Sequence, residues 1–367
     1  MQGLYEEASR QFSVCNACRY CEGFCAVFPA IEERLWIYDR GYIDYIANLC
    51  HDCRNCFYSC PYVSPNPFSI NIPMLLSSIR LESYSRYTYP QIVSRTLFRK
   101  PMLGGLIMTL ISLVLVYLYA VLTGDPLRLF RRITGPGSFY EIIPYGVIAS
   151  VGIALLIYIA LVIGISSYRY WKSIGGPRSG DVLRAFVRAL WDVMIHRYFR
   201  GGGVGCSYPG ERQVFSRLYL HLSLFIGLAL AVLSTITAAI YQEILGILPP
   251  YGMLSPPVIL GICEGVLMVI GSTGLLYMKA RSDKSLINRA MMGLDIYMLV
   301  LLNLIVFTGL LTMIFRETSY MGVIFTIHIG LVVALLIIAP YSKIIHIIYR
   351  YLSLMKYNSS RKAGKNS

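Results

Sequence analysis

Two stretches decide the fold: Cys15-Asn16-Ala17-Cys18-Arg19-Tyr20-Cys21-Glu22-Gly23-Phe24-Cys25 and Cys50-His51-Asp52-Cys53-Arg54-Asn55-Cys56-Phe57-Tyr58-Ser59-Cys60. Both have the spacing C-x2-C-x2-C-x3-C, and together they hold eight of the ten cysteines. Four closely spaced thiolates in a row, with Pro61 after the second set, are typical of the [4Fe–4S] ligands of bacterial two-cluster ferredoxins. The pattern therefore predicts two [4Fe–4S] clusters.

The ligand sets follow from the same pattern, because the fourth cysteine of each run ligates the other cluster. The predicted sets are Cys15, Cys18, Cys21 and Cys60 for the first cluster and Cys50, Cys53, Cys56 and Cys25 for the second. The alternatives are a disulfide knot or paired zinc sites. A disulfide knot is disfavoured because nothing before Cys15 resembles a secretory signal. Zinc sites usually combine two widely separated C-x2-C pairs.

The composition is that of a membrane protein. Hydrophobic residues make up 56% of the chain and charged residues 14%, and the mean hydropathy is +0.58. This excludes an ordinary soluble protein and predicts several membrane spans. The net charge of +14 would suit a nucleic-acid partner, but the basic residues largely flank apolar runs. We therefore expect no nucleic acid and interpret the charge as a topology signal.

Residues 1–100 are polar enough to fold outside the bilayer. The apolar spacing of three to four residues in Ala30–Leu49, between the cysteine runs, favours short helices over a ferredoxin hairpin. Pro73–Tyr84 is predicted as a further amphipathic helix. The fold class is therefore mainly α, with an N-terminal helical ferredoxin-like domain at 1–100.

Six apolar runs follow, each near the ~20 residues that cross ~30 Å of hydrocarbon. We place these spans at 104–123, 143–166, 217–241, 255–278, 291–314 and 321–347. They predict a six-helix transmembrane bundle at 101–350, which contains a long cytoplasmic loop at 167–216. A basic cytoplasmic tail at 351–367 ends the chain. Within the loop, Asp181–Phe199 is predicted as an amphipathic helix on the inner membrane surface.

Lysine and arginine are concentrated before the first span, between spans two and three, between spans four and five, and in the tail. The loop Tyr241–Leu254 has neither residue. By the positive-inside rule both termini face the cytoplasm of a multi-pass protein of the cell membrane. The loop with Arg128, Arg131 and Arg132 breaks the rule. The reducing cytoplasm is also where clustered thiolates persist.

Three of the five histidines lie in predicted spans. His221 and His346 are expected at the same inner depth on different helices, which is what a b-type haem between helices requires. His328 and His346 are 18 residues apart, so on one helix they would share a face about 27 Å apart. His328 is thus a candidate for an outer haem or a quinone hydrogen bond. One haem b is predicted, and two are possible in principle.

The alternative for each intramembrane histidine is a hydrogen bond between helices. His196 is expected at the surface, and His51 is expected to tune a cluster by hydrogen bonding. Glu264 and Asp295 are acidic residues within spans, so each is a candidate proton relay for a quinone or a helix-interface hydrogen bond.

The chain resembles one family along most of its length. The resemblance rests on Cys15–Ala30, on Leu49–Cys53, on the glycine-rich Gly201–Tyr208, on Leu220-His221, and on Thr326–His328 with Pro340–His346. These stretches are similar to the tricarballylate utilisation protein B family, also called CitB-type. The resemblance implies a membrane subunit with two [4Fe–4S] clusters and haem b. It also implies a FAD-containing dehydrogenase partner on the cytoplasmic side, whose reduced flavin the subunit reoxidises.

The leading hypothesis is therefore a membrane-anchored electron-transfer protein rather than a stand-alone catalyst. It would pass electrons from a dehydrogenase of tricarballylate or a similar tricarboxylate, through two clusters and haem b, to membrane quinone. A quinone-reactive subunit of another complex, of the heterodisulfide reductase or glycerol-3-phosphate dehydrogenase type, is the main alternative. A transporter or redox sensor would need a polar pathway or an output domain, and the sequence indicates neither.

Overall fold

The structure is a computed structural model that describes residues 2–34, 37–176 and 182–363. Within these ranges it contains fourteen α-helices, short 3-10 helices and one two-stranded hairpin, Cys206–Ser207 with Gln213–Val214. The helices are α1 (Gln2–Cys18), α2 (Val27–Glu32), α3 (Arg40–Leu49), α4 (Asn55–Tyr58), α5 (Ile72–Tyr87), α6 (Gln91–Arg99), α7 (Pro101–Leu122), α8 (Tyr145–Ile174), α9 (Val182–Met194), α10 (Ser216–Glu243), α11 (Pro256–Arg281), α12 (Arg289–Ile314), α13 (Met321–Ile338) and α14 (Ile345–Ala363). The mainly α prediction is confirmed.

Several predictions include residues outside this description. Residues 1 and 35–36 of the N-terminal domain, 177–181 of the loop with Asp181 of the predicted amphipathic helix, and 364–367 of the tail lie outside the described residues.

Short helices do separate the two cysteine runs. The side chain of Asp39 accepts a hydrogen bond from the Tyr42 amide (2.9 Å) and begins α3, as an N-cap does. Asn71 caps α5 in the same way, through the amide of Met74 (3.1 Å). The apolar faces of these helices are buried in one core, so the prediction of short helices in this region is confirmed.

Six stretches are long and apolar enough to cross a membrane. They are Pro101–Leu122, Tyr145–Ile174, Ser216–Glu243, Pro256–Arg281, Arg289–Ile314 and the segment from Met321. Among them α10 packs on α11, α7 packs on α13, and α12 lies between α11 and α13. The chain is a multi-pass membrane protein.

The last span is not the continuous helix that the 18-residue spacing of His328 and His346 assumed. Helix α13 ends at Ile338, a 3-10 turn covers Ala339–Tyr341, and Ser342 is extended (φ −115°, ψ −173°) before α14 begins. Pro340 explains the interruption, because proline has no amide hydrogen and its ring clashes with the preceding turn. His328 and His346 therefore lie on different helices, and the same-face argument was wrong.

The N-terminal domain packs directly on the membrane helices. One buried core joins its Ile46 to Tyr170 of α8, Met291 of α12 and Tyr349 of α14. The approach of α3 to α8 is close enough that a Cβ on Gly41 would collide with the carbonyl oxygen of Ser173. The cysteine-rich loops are thereby held against the ends of the membrane helices.

Two of the three arginines that break the charge rule, Arg128 and Arg131, have local partners. Arg128 donates to the carbonyl oxygen of Ala120 (3.0 Å) near the end of α7, where a positive charge is favourable. Arg131 forms an ion pair with Asp125 (3.1 Å).

Candidate iron–sulphur and histidine sites

The first thiol cavity lies between the end of α1 and the loop after α4. It is lined by the thiols of Cys15, Cys18, Cys21, Cys56 and Cys60. Four of these are the predicted ligands of the first cluster. The cavity is near the surface, because Cys18 is exposed and the neighbouring Tyr20 is 66% exposed.

The second thiol cavity lies deeper. It is lined by Cys25, Cys50, Cys53 and Cys56, which are the predicted ligands of the second cluster. Cys53 is only 7% exposed. The structure thus brings Cys60 to the first run and Cys25 to the second, in the arrangement that the ferredoxin pattern needs. The ligand assignment itself stays a prediction.

The backbone around the thiols is shaped to surround a compact group. Arg19, Asp52 and Arg54 have positive φ angles (56°, 57° and 67°), which are uncommon for residues other than glycine. The amide of Asp52 donates to Sγ of Cys50 (3.3 Å), and the amide of Tyr62 donates to Sγ of Cys60 (3.4 Å). Hydrogen bonds to ligand sulphurs are one means by which a protein sets a cluster's potential.

The electrostatics of the cavities favour a bound cationic group. Burial, and then repulsion by neighbouring thiolates, raises the pKa of Cys15 and of Cys21 to about 12. The same causes raise the pKa of Cys25 and Cys56 well above the usual value. Metal ions reverse this situation, because a coordinating thiol is deprotonated. All ten cysteines lie in the described ranges, and none of them forms a disulfide there.

A third cavity, which we call the histidine cavity, lies between the N-terminal domain and the ends of the membrane helices that contact it. Its volume is about 180 Å³. His221 of α10 and His346 of α14 both line it, together with apolar residues such as Leu224, Met298 and Leu302. The two histidines that were predicted at one depth are thus brought to one cavity.

A chain of hydrogen bonds orients His221. Nδ1 of His196 is 3.3 Å from the carbonyl oxygen of Met194, and Nε2 of His196 is 3.0 Å from Nδ1 of His221. A carbonyl only accepts, so Nδ1 of His196 carries the hydrogen and its Nε2 accepts from His221. The lone pair of His221 is therefore on Nε2, as metal ligation by that atom requires.

A backbone carbonyl three residues earlier in the chain orients the ring of His346. Its Nδ1 donates to the carbonyl oxygen of Lys343, in the interrupted segment before α14. The lone pair of this ring is therefore also on Nε2. The Lys343 carbonyl can accept this hydrogen bond because the break at Ala339–Tyr341 leaves it outside a regular helix. Both histidines thus have the tautomer that an axial ligand needs.

Comparison with known proteins identifies the family. The family profile described as citrate utilization protein B matches residues 98–367, and that of the citrate utilization protein B Fer4-like domain matches residues 8–86. The chain belongs to the citrate utilization protein B family. One relative, citrate utilization protein B of Escherichia coli, is 34% identical over 370 residues, which cover 98% of this chain and 94% of that protein. No solved structure matches the chain.

Membership of the citrate utilization protein B family confirms the resemblance to the CitB-type proteins. The two matches together cover both the cysteine-rich domain and the membrane bundle. The Fer4-like domain contains the cysteine runs, and it indicates iron–sulphur clusters and a role in electron transfer.

One histidine of this citrate utilization protein B family member, His196, is not where the sequence suggested, whereas His51 lies beside the cysteines as expected. His196 was expected at the surface, but it is buried (7% exposed) because the loop after α9 folds back onto α10. His51 lines both the second thiol cavity and the histidine cavity. Its Nδ1 is buried and has no hydrogen-bond partner within the described part of the chain. Burial, and then the positive charge of Arg350, holds the pKa of His51 well below its usual value.

The remaining intramembrane candidates have other surroundings. Nδ1 of His328 is 3.1 Å from the carbonyl oxygen of Ile305 and 3.2 Å from Oγ1 of Thr308, so it joins α13 to α12. His328 is not among the residues that line the histidine cavity. Asp295 does line it, and it forms ion pairs with Lys279 (2.5 Å) and Lys343 (2.6 Å).

Sequence reasoning missed the arginines and the ninth thiol of the site. Arg217 precedes His221 by four residues, Arg350 follows His346 by four, and all four side chains line the histidine cavity. That spacing places each pair on one helix face, so this signal was present in the sequence. Cys206 lies in one buried cluster with Cys53, a contact between distant segments that no local pattern indicates.

Proposed function

We propose that this protein is a membrane electron-transfer subunit that holds two [4Fe–4S] clusters and one haem b. One observation carries the proposal: the three cavities adjoin one another. Cys56 lines both thiol cavities, and His51 and Asp52 line both the second thiol cavity and the histidine cavity. The groups that these cavities suit would follow one another from the surface of the N-terminal domain to the membrane.

The residues of the chain have distinct tasks in this proposal. The first set of thiols would hold one cluster close to the surface, where a partner can approach, and the second set would hold the other beside the membrane. His221 and His346 would ligate haem b through Nε2. Each of the three groups, when bound, supplies one-electron redox chemistry. The helix packing would hold the two histidine ligands in place.

The partner and acceptor are proposed on the basis of the family. A FAD-containing dehydrogenase that acts on tricarballylate or a similar tricarboxylate would deliver electrons at the first thiol cavity. Membrane quinone would accept them after the haem. The name of the Escherichia coli relative, citrate utilization protein B, supports a tricarboxylate as the substrate of the partner. The exposure of Cys18 and Tyr20 supports the first thiol cavity as the docking point.

The test of the cofactors is the iron content and spectrum of the full-length protein purified in detergent without oxygen. We expect eight non-haem irons per chain, four for each cluster, and a reducible b-type spectrum. Cys18→Ser should remove the signal of the first cluster, whereas the matched variant Cys263→Ser, at an exposed thiol of α11, should change neither cluster. A protein that contains zinc, or no haem, would overturn the proposal.

The haem ligands have a matched pair of variants. His346→Ala should abolish the b-type spectrum and leave both clusters in place. His328→Ala should leave the haem bound, because His328 contacts Ile305 and Thr308 rather than the histidine cavity. Retention of haem in His346→Ala, or its loss in His328→Ala alone, would contradict the assignment.

The cell membrane and cytoplasmic termini are proposed from the charge pattern. Reporter fusions test them: a phosphatase that folds only outside the cytoplasm should be active when it is fused after Gly252 and inactive when it follows Ser367. The reverse result would invert the topology.

A further inference from the structure

The wall of the histidine cavity nearest the second thiol cavity carries an excess of positive charge. Of the described side chains that line the cavity, five are cationic and two are anionic. Lys279 and Lys343 share Asp295 (2.5 and 2.6 Å). Arg217 lies 4.0 Å from Asp52 and donates to the backbone carbonyls of His51 and Asp52.

Arg80 and Arg350 differ from these three cations in their hydrogen-bond partners. Within the part of the chain that the structure describes, neither forms an ion pair with a carboxylate. Both donate instead to the backbone oxygen of Cys50, from Nη1 of Arg80 (2.5 Å) and Nη2 of Arg350 (2.6 Å), and Nε of Arg350 also donates to the Asn48 carbonyl (3.4 Å). Two guanidinium groups on one neutral acceptor repel each other, and burial strengthens the repulsion.

An unused donor points to the same conclusion. Arg80 is 3% exposed, and its Nε is buried without a hydrogen-bond acceptor among the described residues. Buried donors in native proteins almost always have an acceptor, so an orphaned guanidinium donor indicates a ligand with acceptor oxygens. A carboxylate satisfies both requirements, because it supplies negative charge and accepts two hydrogen bonds from a guanidinium.

We propose that Arg80 and Arg350 bind the two propionate carboxylates of haem b, so that the carboxylate edge of the haem faces the second thiol cavity. This inference rests on the proposed function, since it needs a haem between His221 and His346. A haem carries two carboxylates on one edge, and the two arginines lie side by side at Cys50, one of the predicted cluster ligands. The haem edge and the second cluster would then be linked through the Cys50 peptide.

The competing role for these arginines is to balance the negative charge of the second cluster. The linings of the cavities favour the haem. Arg80 and Arg350 line the histidine cavity, and neither is among the residues that line the second thiol cavity, where Arg54 is the cationic side chain.

The experiment compares two porphyrins. Full-length protein is purified in detergent from haem-deficient cells with its clusters intact, and is titrated with iron protoporphyrin IX or with its dimethyl ester, which has no free carboxylates. Wild type should bind the free acid roughly ten- to a hundredfold more tightly than the ester, as charge-assisted hydrogen bonds predict. Arg350→Gln should lose most of this preference while its affinity for the ester stays within about twofold.

Two further variants are the controls. Lys279→Gln removes a cation from the same cavity but leaves Asp295 paired with Lys343, so it should keep the preference. Arg350→Lys retains the charge and should keep part of it. If Arg350→Gln does not fold, the comparison of the two porphyrins in wild type still tests whether the protein binds the haem carboxylates.

Three results would overturn the inference. Wild type could bind the free-acid porphyrin and its dimethyl ester equally tightly. This result refutes the carboxylate site, and it leaves the haem proposal standing if both complexes show bis-histidine spectra. Arg350→Gln could weaken both porphyrins equally, or could alter the signal of the second cluster while the preference persists, and the arginine would then serve the fold or the cluster. Binding of neither porphyrin would refute the proposed function itself.

Discussion

Replacement of His196 by phenylalanine tests how the structure orients His221. The hydrogen bond between Nε2 of His196 and Nδ1 of His221 (3.0 Å) is the contact that holds the Nε2 lone pair of His221 in the cavity. The phenylalanine ring keeps the packing of His196 against Phe199 and Phe225, whose ring centroids are 6.1 and 5.3 Å away. The substitution removes the acceptor of His221 and also the longer hydrogen bond from Nδ1 of His196 to the Met194 carbonyl (3.3 Å).

The expected loss of haem affinity follows from the Nδ1–H group of His221, which has no acceptor in the variant. A buried donor that loses its acceptor costs about 1–3 kcal/mol. Loss of the outer partner of a metal-ligating histidine typically weakens metal affinity by ~10–100-fold. The two figures agree, because about 1.4 kcal/mol corresponds to a tenfold change in affinity. We therefore expect His196→Phe to bind haem roughly 10–100-fold more weakly than wild type.

The assay is titration of haem into the purified protein, followed by visible absorption and by the EPR signal of the low-spin haem. His196→Gln is the matched control, because its amide oxygen can still accept from His221, and it should bind haem within a fewfold of wild type. Haem affinity and EPR signal unchanged in His196→Phe would refute the orienting role of His196.

Three further predictions concern the domain around the thiols. Cys206→Ala should make the second cluster harder to reduce and leave the first unchanged, because it removes a polar buried thiol, one that donates to the Phe199 carbonyl (3.4 Å), from the surroundings of Cys53; equal shifts in a redox titration followed by EPR would contradict this. Asp44→Ala should destabilise the domain by roughly 1–3 kcal/mol, since it removes the buried acceptor of the Tyr5 (2.8 Å) and Tyr87 (2.7 Å) hydroxyls while Arg86 keeps its ion pair with Glu82; loss of cluster absorption at the same temperature as in wild type would contradict this. Gly41→Ala should loosen the domain from the membrane helices, because the new methyl group meets the carbonyl of Ser173; proteolysis at an unchanged rate would argue against that contact.

Local patterns predicted the parts of the fold that local physics decides. The cysteine spacing is a short-range feature, because all four ligands of one run lie within a few turns of backbone. Apolar length predicts a membrane span without any tertiary information, and five of the six predicted spans match helices to within eight residues at each end, whereas the sixth is interrupted after Ile338. The exchange of Cys25 and Cys60 between the two cluster sites could be predicted only from the known ferredoxin pattern, in which the fourth cysteine of each run ligates the other cluster.

The features that the sequence did not predict depend mostly on contacts between segments that are distant in the chain. His196 looked like a surface residue because arginines flank it, yet a turn at Arg197–Gly203, with Gly201 and Gly202 at positive φ, returns the chain to α10. The contact of Cys206 with Cys53 has the same origin. The break at Pro340 was different, since the proline was visible and the apolar run concealed its effect.

The measurement that tests the central claim most directly is a reductive titration of the purified full-length protein, in which EPR and visible absorption are recorded on the same samples. Two clusters and one haem each accept one electron, so the account predicts three electrons per chain. Two of them should appear as spins of neighbouring, magnetically interacting clusters and one as the reduced b-type spectrum. A titration that ends without the haem change, or with spins from a single cluster, would contradict it.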